Sequence, residues 1–121
     1  MEHKKTLVLG ASENPDRYSN LAVKKLSAQD HPVIALGRKK GTIGNILIET
    51  EKKPINDIDT ITLYLNAANQ REYYDYILSL NPKRIIFNPG AENDELAILA
   101  KERHIDTKEA CTLVLLSTGQ Y

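Results

Sequence analysis

The sequence predicts an α/β fold built on a doubly wound parallel sheet with helices on both faces. Two observations lead to this prediction. Residues 7–9 are continuously apolar and residues 60–65 are rich in β-branched side chains, as in strands that are buried on both faces. Such runs alternate along the chain with segments of helical periodicity, which implies right-handed crossovers between parallel strands. The 121 residues are predicted to form one domain, 1–121, since the length and the 41% hydrophobic content allow a single core.

Five strands, with a sixth at the edge of the sheet, are predicted from these apolar runs. They are placed at 5–10, 33–36, 45–49, 60–65, 84–87 and 105–108. The segment between the second and third strands is too short for a normal helix and is predicted to be a glycine-bounded loop. The order expected for a doubly wound sheet is 3-2-1-4-5, with the additional strand at one edge.

Three helices are predicted between these strands, at 21–29, 69–80 and 93–104, and an apolar helix or turn is predicted at 112–116. Ser19, Asn69 and Asn93 are the expected N-caps of the first three. The second helix places apolar and aromatic side chains at helical spacing, namely Tyr73, Tyr76, Ile77 and Leu80. The third has acidic residues in its first turn and basic residues in its last, as the helix dipole favours.

Composition narrows the class of protein. Sixteen basic residues balance sixteen acidic ones, so no overall field attracts nucleic acid or an anionic membrane. No apolar run reaches the ~20 residues that span a bilayer, and the first strand begins too early to leave room for a signal peptide. With one cysteine there is no internal disulfide framework. We therefore expect a cytoplasmic protein that binds neither nucleic acid nor membrane, and homo-oligomerisation stays open.

Four polar or glycine-containing segments are expected to meet at the carboxyl ends of the predicted parallel strands. In the order 3-2-1-4-5 a crevice opens at the carboxyl ends of the first and fourth strands. The segments that follow strands there are 10–12, 37–40, 66–67 and 88–90. Their convergence predicts a ligand site.

The turn after the first strand indicates a phosphate ligand. A strand, a turn of small residues and a helix together present backbone N–H groups and a helix N-terminus to an anion. The loop 10–20 has one glycine and lacks the spacing of the G-x-G-x-x-G dinucleotide fingerprint. Arg17 is a candidate bidentate clamp for a phosphate, and Tyr18 is a candidate for stacking on an adenine. The alternative is that Arg17 is an ordinary exposed loop residue.

A basic cluster follows the second strand, at Gly37-Arg38-Lys39-Lys40-Gly41. A domain that binds NAD would carry an acidic residue there for the ribose hydroxyls, whereas Arg and Lys suit a ribose that bears a phosphate. The segment does not end in Gly-Lys-Ser/Thr and does not lead into a helix, which excludes a P-loop. The cluster therefore favours a phosphorylated adenine nucleotide over NAD, with a solvated basic turn as the alternative.

Catalytic constellations are scarce in the sequence. His3, His31 and His104 are all predicted to lie away from the crevice, at the amino-terminal side of strands or at a helix end. No metal-ligand spacing is present. Cys111 is interpreted as a small buried hydrophobe, with a reactive thiol as the alternative.

Taken together, these motifs resemble those of the small stand-alone CoA-binding proteins, whose Rossmann-like domain is similar to the N-terminal domain of the succinyl-CoA synthetase alpha subunit. The resemblance rests on 10–12, 15–19, 37–39, 88–95 and 109–111, and it covers essentially the whole chain. It implies a non-catalytic site for coenzyme A or an acyl-CoA. The residues that it places at this site are Gly10, Ala11, Ser12, Arg17, Ser19, Gly37, Arg38, Lys39, Asn66, Ala67, Asn88 and Pro89. The phosphohistidine of the synthetase lies in a second domain, so ligase chemistry is not implied.

Two other functions remain open on the residues alone. An NADP-dependent oxidoreductase, or a fragment of one, would use the same basic cluster to bind a 2′-phosphate. A ligand-free interaction domain would keep the scaffold and use the apolar tail 112–121 to dimerise or to bind a partner.

Overall fold

Seven strands form one sheet in the computed structural model, which describes residues 3–121. The strands are β1 (Thr6–Leu9), β2 (Val33–Leu36), β3 (Gly41–Ile43), β4 (Ile46–Glu49), β5 (Thr60–Leu63), β6 (Arg84–Phe87) and β7 (Asp106–Glu109). Their order is β3-β4-β2-β1-β5-β6-β7, and every neighbouring pair is parallel except β3 with β4. The predicted α/β class and the predicted central order are confirmed. The inner strands are β4-β2-β1-β5-β6, which are the third, second, first, fourth and fifth of the predicted strands.

The prediction of five to six strands was too low because β3 was interpreted as part of a loop. β3 has only three residues and pairs antiparallel with β4 across a tight turn at Gly44, whose φ is +59°. This hairpin follows the basic cluster directly. A three-residue strand that begins with glycine carries too few apolar side chains to show a strand period.

The helices are α1 (Tyr18–Ala28), α2 (Ala67–Gln70), α3 (Tyr74–Ser79), α4 (Asp94–Glu102) and α5 (Thr112–Ser117), and a 3-10 turn, Arg71–Tyr73, joins α2 to α3. The predicted helix 69–80 is thus divided, and its cap is Asn66, whose side chain accepts from the Asn69 N–H at 2.9 Å. Ser19 is not the cap of α1. It lies in the first turn and is buried, and the cap position falls on Arg17.

Two apolar layers hold the helices on the sheet. On one face, Val23 and Leu26 of α1 pack against Val8 and Ala35. On the other face α3 and α4 cover β1, β5 and β6, where Ile77 and Leu96 are fully buried. β1 and β5 have every residue buried, as expected for central strands of a doubly wound sheet.

The apolar tail 112–121 packs against its own chain. Leu115 and Leu116 of α5 are buried, and α5 contacts α1. The ring of Tyr121 lies 5.0 Å from that of His31, centroid to centroid, and its hydroxyl bonds to the Thr6 hydroxyl. Leu115, Leu116 and most of the Tyr121 ring are therefore not available to a partner, whereas Val114 remains exposed.

None of the helices formed by residues 3–121 has the length and hydrophobicity required to cross a lipid bilayer.

Candidate nucleotide-binding cleft

A cleft of about 790 Å³ opens at the carboxyl ends of β1, β2, β5 and β6. Its volume lies within the range of small-molecule and cofactor sites. Its lining residues come from four segments, as predicted. They are Gly10, Ala11, Ser12, Glu13, Asp16, Arg17, Tyr18, Ser19, Arg38, Lys39, Lys40, Tyr64, Leu65, Asn66, Asn69, Pro89, Gly90 and Ala91. The turn near residue 10 and the basic cluster near residue 38 thus face a common space.

The turn that follows β1 is held tightly against its neighbours. The N–H groups of Gly10 and Ala11 both donate to the Leu36 carbonyl, at 2.9 and 3.0 Å. Gly10 has φ +98°, and a Cβ there would lie 3.2 Å from the Tyr64 backbone, so only glycine fits without strain. These two N–H groups are therefore used within the protein and are not donors for a ligand.

The N-terminus of α1 offers unused backbone donors to the cleft. No side chain caps this helix, and its first turn contains no acidic residue. Within residues 3–121, the N–H groups of Tyr18 and Ser19 have no hydrogen-bond acceptor. The Asn20 amide donates to the Ser12 carbonyl at 2.9 Å and fixes the loop over this helix end. Unpaired N–H groups at the positive end of a helix dipole form an anion site.

The basic cluster forms one wall of the cleft. Arg38, Lys39 and Lys40 are exposed. Arg38 lies 4.0 Å from the carboxylate of Glu72, and because both side chains are more than half exposed, this ion pair contributes at most about 1 kcal/mol. A phosphate can therefore compete for the guanidinium at little cost.

The basic wall is tied to the β1–α1 loop at two points. A Cβ on Gly37 would lie 2.3 Å from the Ala11 carbonyl oxygen, so the two backbones approach more closely than any other residue type allows. The carboxylate of Glu13 accepts from the Thr42 N–H at 2.9 Å. These contacts fix the distance between the α1 N-terminus and the basic side chains.

The opposite wall begins at Tyr64, directly after β5. The pKa of the Tyr64 phenol is raised to about 12. Burial is the main cause, and it outweighs the opposing effect of the neighbouring Thr112 and Thr62 hydroxyls. The phenol therefore stays protonated at neutral pH. The wall continues to Asn66, whose Oδ1 is used to cap α2.

Asn88 lies beneath the cleft, fully engaged within the protein. Its amide donates to the Thr62 hydroxyl at 2.6 Å and to the Leu63 carbonyl at 2.9 Å, and its carbonyl accepts from the Thr112 N–H at 2.9 Å. It anchors α5 to the central strands. Pro89, the next residue, does reach the lining.

The predicted site residues thus divide into two groups. Nine line the cleft, whereas Gly37, Ala67 and Asn88 do not. Among the lining residues that the predicted set omits, Lys40 and Tyr18 adjoin predicted residues. Asn69 lies one turn beyond Asn66, so helical spacing could have identified it. Glu13 and Asp16 add two acidic groups against the four basic ones, Arg17, Arg38, Lys39 and Lys40.

The histidines lie at the amino-terminal ends of the strands, opposite the cleft, or at a helix end. His31 is buried, and its Nδ1 accepts from the Lys4 N–H at 2.9 Å. His104 follows α4 with a left-handed backbone, φ +60°. Cys111 is half-buried and unpaired at the start of α5. Among residues 3–121 no three His, Cys, Asp or Glu side chains are grouped so as to hold a metal ion.

A mostly parallel sheet with helices on both faces and a cleft at its switch point defines a Rossmann-like α/β domain. The family model described as a CoA binding domain matches residues 4–117. The chain belongs to this family of CoA binding domains.

Solved structures have the same fold as this chain. The crystal structure of an uncharacterized protein is 47% identical, with a TM-score of 0.97 and full coverage of both chains. A hypothetical protein from Pyrococcus horikoshii is 20% identical, with a TM-score of 0.85 over 96% of this chain and 83% of that one. A protein from Thermus thermophilus is 18% identical, with a TM-score of 0.81 over 98% of this chain and 91% of that one. The last two share the fold. No curated protein is significantly similar to the chain.

Proposed function

We propose that the protein binds coenzyme A or an acyl-CoA in the cleft and catalyses no reaction on it. One observation carries the proposal. An uncapped helix N-terminus and a cluster of exposed basic side chains line one cleft, and their relative position is fixed by direct contacts between the two loops. Coenzyme A carries phosphate at two separate places, the diphosphate and the 3′-phosphate of its ribose.

The diphosphate is assigned to the N-terminus of α1. The N–H groups of Tyr18 and Ser19 are the free donors there, and Arg17, exposed at the cleft, supplies a positive charge. Gly10, Ala11 and Ser12 form the surface beneath the ligand. The small side chains of this turn allow close approach, although the N–H groups of its first two residues are already bonded.

The ribose 3′-phosphate is assigned to Arg38 and Lys39. Both side chains are exposed at the wall of the cleft. Charge-assisted hydrogen bonds contribute about 1.5–3 kcal/mol each. The ring of Tyr18, 70% exposed, is available to stack on the adenine, and the pantetheine arm would follow the wall formed by Asn66 and Pro89.

The composition of the cleft supports binding without catalysis. No histidine among residues 3–121 lines it, and Tyr64, whose pKa is raised by burial to about 12, holds its proton more tightly than usual. A general base that accepts a proton near neutral pH would need the opposite shift.

The basic cluster can be tested with the double variant Arg38→Ala/Lys39→Ala. Because two charge-assisted contacts are lost, we expect the affinity for CoA to fall at least about tenfold, with the affinity for dephospho-CoA nearly unchanged. Isothermal titration calorimetry with both ligands measures the effect.

The matched control is Lys101→Ala/Arg103→Ala, which removes the same residue types from the exposed end of α4. It should leave both affinities unchanged. Equal affinity of the wild-type protein for CoA and dephospho-CoA would contradict the assigned role of Arg38 and Lys39. Tighter binding of NADPH than of CoA would instead favour an NADP-dependent oxidoreductase.

A further inference from the structure

A second cavity, of about 160 Å³, lies on the face of the sheet opposite α1. It shares no lining residue with the cleft. Its floor is formed by the buried side chains of Leu7 and Leu36, and its walls by Ile34, Ile55 and the ring of Tyr76. The interior is therefore almost entirely apolar.

The cavity exists because the connection from β4 to β5 contains no helix. Residues 50–59 cross this face without regular secondary structure, so no helix packs over the ends of β2 and β4. Pro54 and Ile55 of the connection form the outer wall.

Specific contacts hold this wall over the cavity. The Tyr76 hydroxyl donates to the Lys53 carbonyl at 2.6 Å. The Lys52 ammonium donates to the Glu72 carbonyl at 2.6 Å and lies 4.8 Å from the centre of the Tyr73 ring. The connection is thus anchored to the segment 72–76, and the space beneath it stays open.

The mouth of the cavity is charged. Glu49, Glu51 and Lys53 line it. None of the three forms an ion pair with any of residues 3–121, and the Glu49 and Glu51 carboxylates accept no hydrogen bond from them. Glu49 is half-buried at the edge of the cavity. The mouth therefore has an excess of one negative charge, and its two carboxylates are free to accept hydrogen bonds from a ligand.

We propose that this cavity binds a small organic cation consisting of one apolar ring and one amino group. An apolar cavity of about 150 Å³ accommodates a benzene ring, which matches the volume here. A ring placed against Leu36 and Ile55 directs a short substituent towards the mouth, where an ammonium meets the carboxylates of Glu49 and Glu51. The site is independent of the nucleotide cleft and does not rest on the function proposed for it.

Benzylamine, benzyl alcohol and benzoate are the probes for this site, because they share the ring and differ in charge. Titration followed by protein NMR should give saturable shifts at Leu36, Ile55 and Tyr76 with benzylamine. Benzyl alcohol should bind about two- to fivefold more weakly, as expected for loss of a solvent-accessible ion pair, and benzoate should not bind.

Two variants locate the interaction. Ile55→Trp fills the cavity and should weaken benzylamine binding at least about tenfold, whereas Ile98→Trp, which places the same residue on the exposed face of α4, should not change it. Glu49→Gln should weaken benzylamine binding towards the level of benzyl alcohol, since Glu51 retains its charge, and should leave benzyl alcohol binding unaffected.

Circular dichroism tests whether each variant is folded. If Ile55→Trp does not fold, the titrations of the wild-type protein and of Glu49→Gln decide the question. Absence of saturable shifts at the cavity, shifts confined to the cleft, or binding of benzoate as tight as that of benzylamine would overturn the proposal.

Discussion

The N-termini of α1 and α4 lie at the same edge of the sheet, yet they are built in opposite ways. Asn93 caps α4 by accepting from the Leu96 N–H at 3.2 Å, and Asp94 and Glu95 occupy its first turn. α1 has neither a side-chain cap nor an acidic first turn. The positive end of the α4 dipole is therefore compensated by residues of α4 and its cap, whereas that of α1 is not.

The start of α4 is also part of a buried hydrogen-bond network. The Asn93 side-chain amide donates to the side-chain Oε1 of Gln70 and to the Tyr74 hydroxyl, both at 2.8 Å. The Gln70 amide donates in turn to the carbonyls of Leu65 and Ala91, both at 2.7 Å. The polar groups at the start of α4 are therefore hydrogen-bonded within the protein. The comparison teaches that a ligand site is recognised by what the protein leaves unsatisfied as much as by which residues are present.

The largest effect is expected from Asn93→Ala. The substitution removes the cap of α4 and leaves the buried side-chain Oε1 of Gln70 without its donor, so the free energy of unfolding should fall by about 2–4 kcal/mol. Urea denaturation measures the loss. CoA affinity of the folded protein should change less than about twofold.

The matched control for this substitution is Asn66→Ala, which removes the exposed cap of the four-residue helix α2. Its cost should be about 1 kcal/mol or less. Equal losses for the two variants would show that the network around Gln70 adds nothing to the cap.

A smaller effect, on binding, is expected from Tyr18→Glu, which gives α1 an acidic first turn like that of α4. The carboxylate would compete with phosphate for the helix N-terminus, so CoA affinity should fall about tenfold, while stability rises by about 0.3–1 kcal/mol. Calorimetry and thermal unfolding report the two quantities.

Tyr18→Gln is the control, because it also removes the ring but adds no charge. It should weaken CoA binding less than Tyr18→Glu does. Identical affinities for the two variants would indicate that the ring, and not the helix dipole, provides the interaction at this position.

The smallest effect concerns the opposite edge of the sheet, which the tail closes. Burial, together with the nearby side chains of His3, Lys4 and Arg84, lowers the pKa of His31 below its usual 6.5. The unfolded chain therefore binds this proton more readily than the native protein. Stability should rise with pH up to about 6.5 and fall below it as the unfolded state is protonated.

His31→Asn should flatten this slope, because asparagine does not bind a proton in this pH range. Its side-chain carbonyl can still accept from the Lys4 N–H, so the hydrogen bond to the chain is kept. His104→Asn is the comparison variant, as asparagine tolerates the left-handed backbone at that position. Denaturation midpoints from about pH 5 to 7.5 give the slopes. An unchanged slope in His31→Asn would assign the pH dependence to other groups.

Much of the fold was predictable because its strands and helices have local signatures. The continuous apolar run of β1 and the β-branched run of β5 identify central strands, and Asn93 followed by two acidic residues identifies the start of α4. The hairpin of β3 with β4 was not predicted, since its three residues show no period. The division of the helix at Arg71–Tyr73 also lacks a local signal, because the apolar spacing continues through it.

The candidate site was predictable to the level of segments. Residues that follow parallel strands must meet at one edge, so the four segments could be placed together from their positions alone. Whether an individual residue faces the ligand could not be predicted in this way. Asn88 looks like a site residue in sequence, yet its amide and carbonyl groups bind Thr62, Leu63 and Thr112 below the cleft.

The sequence by itself determined the class of fold, the order of the central strands and the basic cluster beside a small-residue turn. These follow from periodicity and from residue types at strand ends, which are local properties. The tertiary structure decided which donors remain free. The N–H groups of Gly10 and Ala11 are consumed by Leu36, whereas those of Tyr18 and Ser19 are not. It also decided that a helix-free crossover leaves a cavity under Ile55. The physical reason is that hydrogen bonds and packing between segments distant in sequence depend on strand register and loop path, which no single segment encodes.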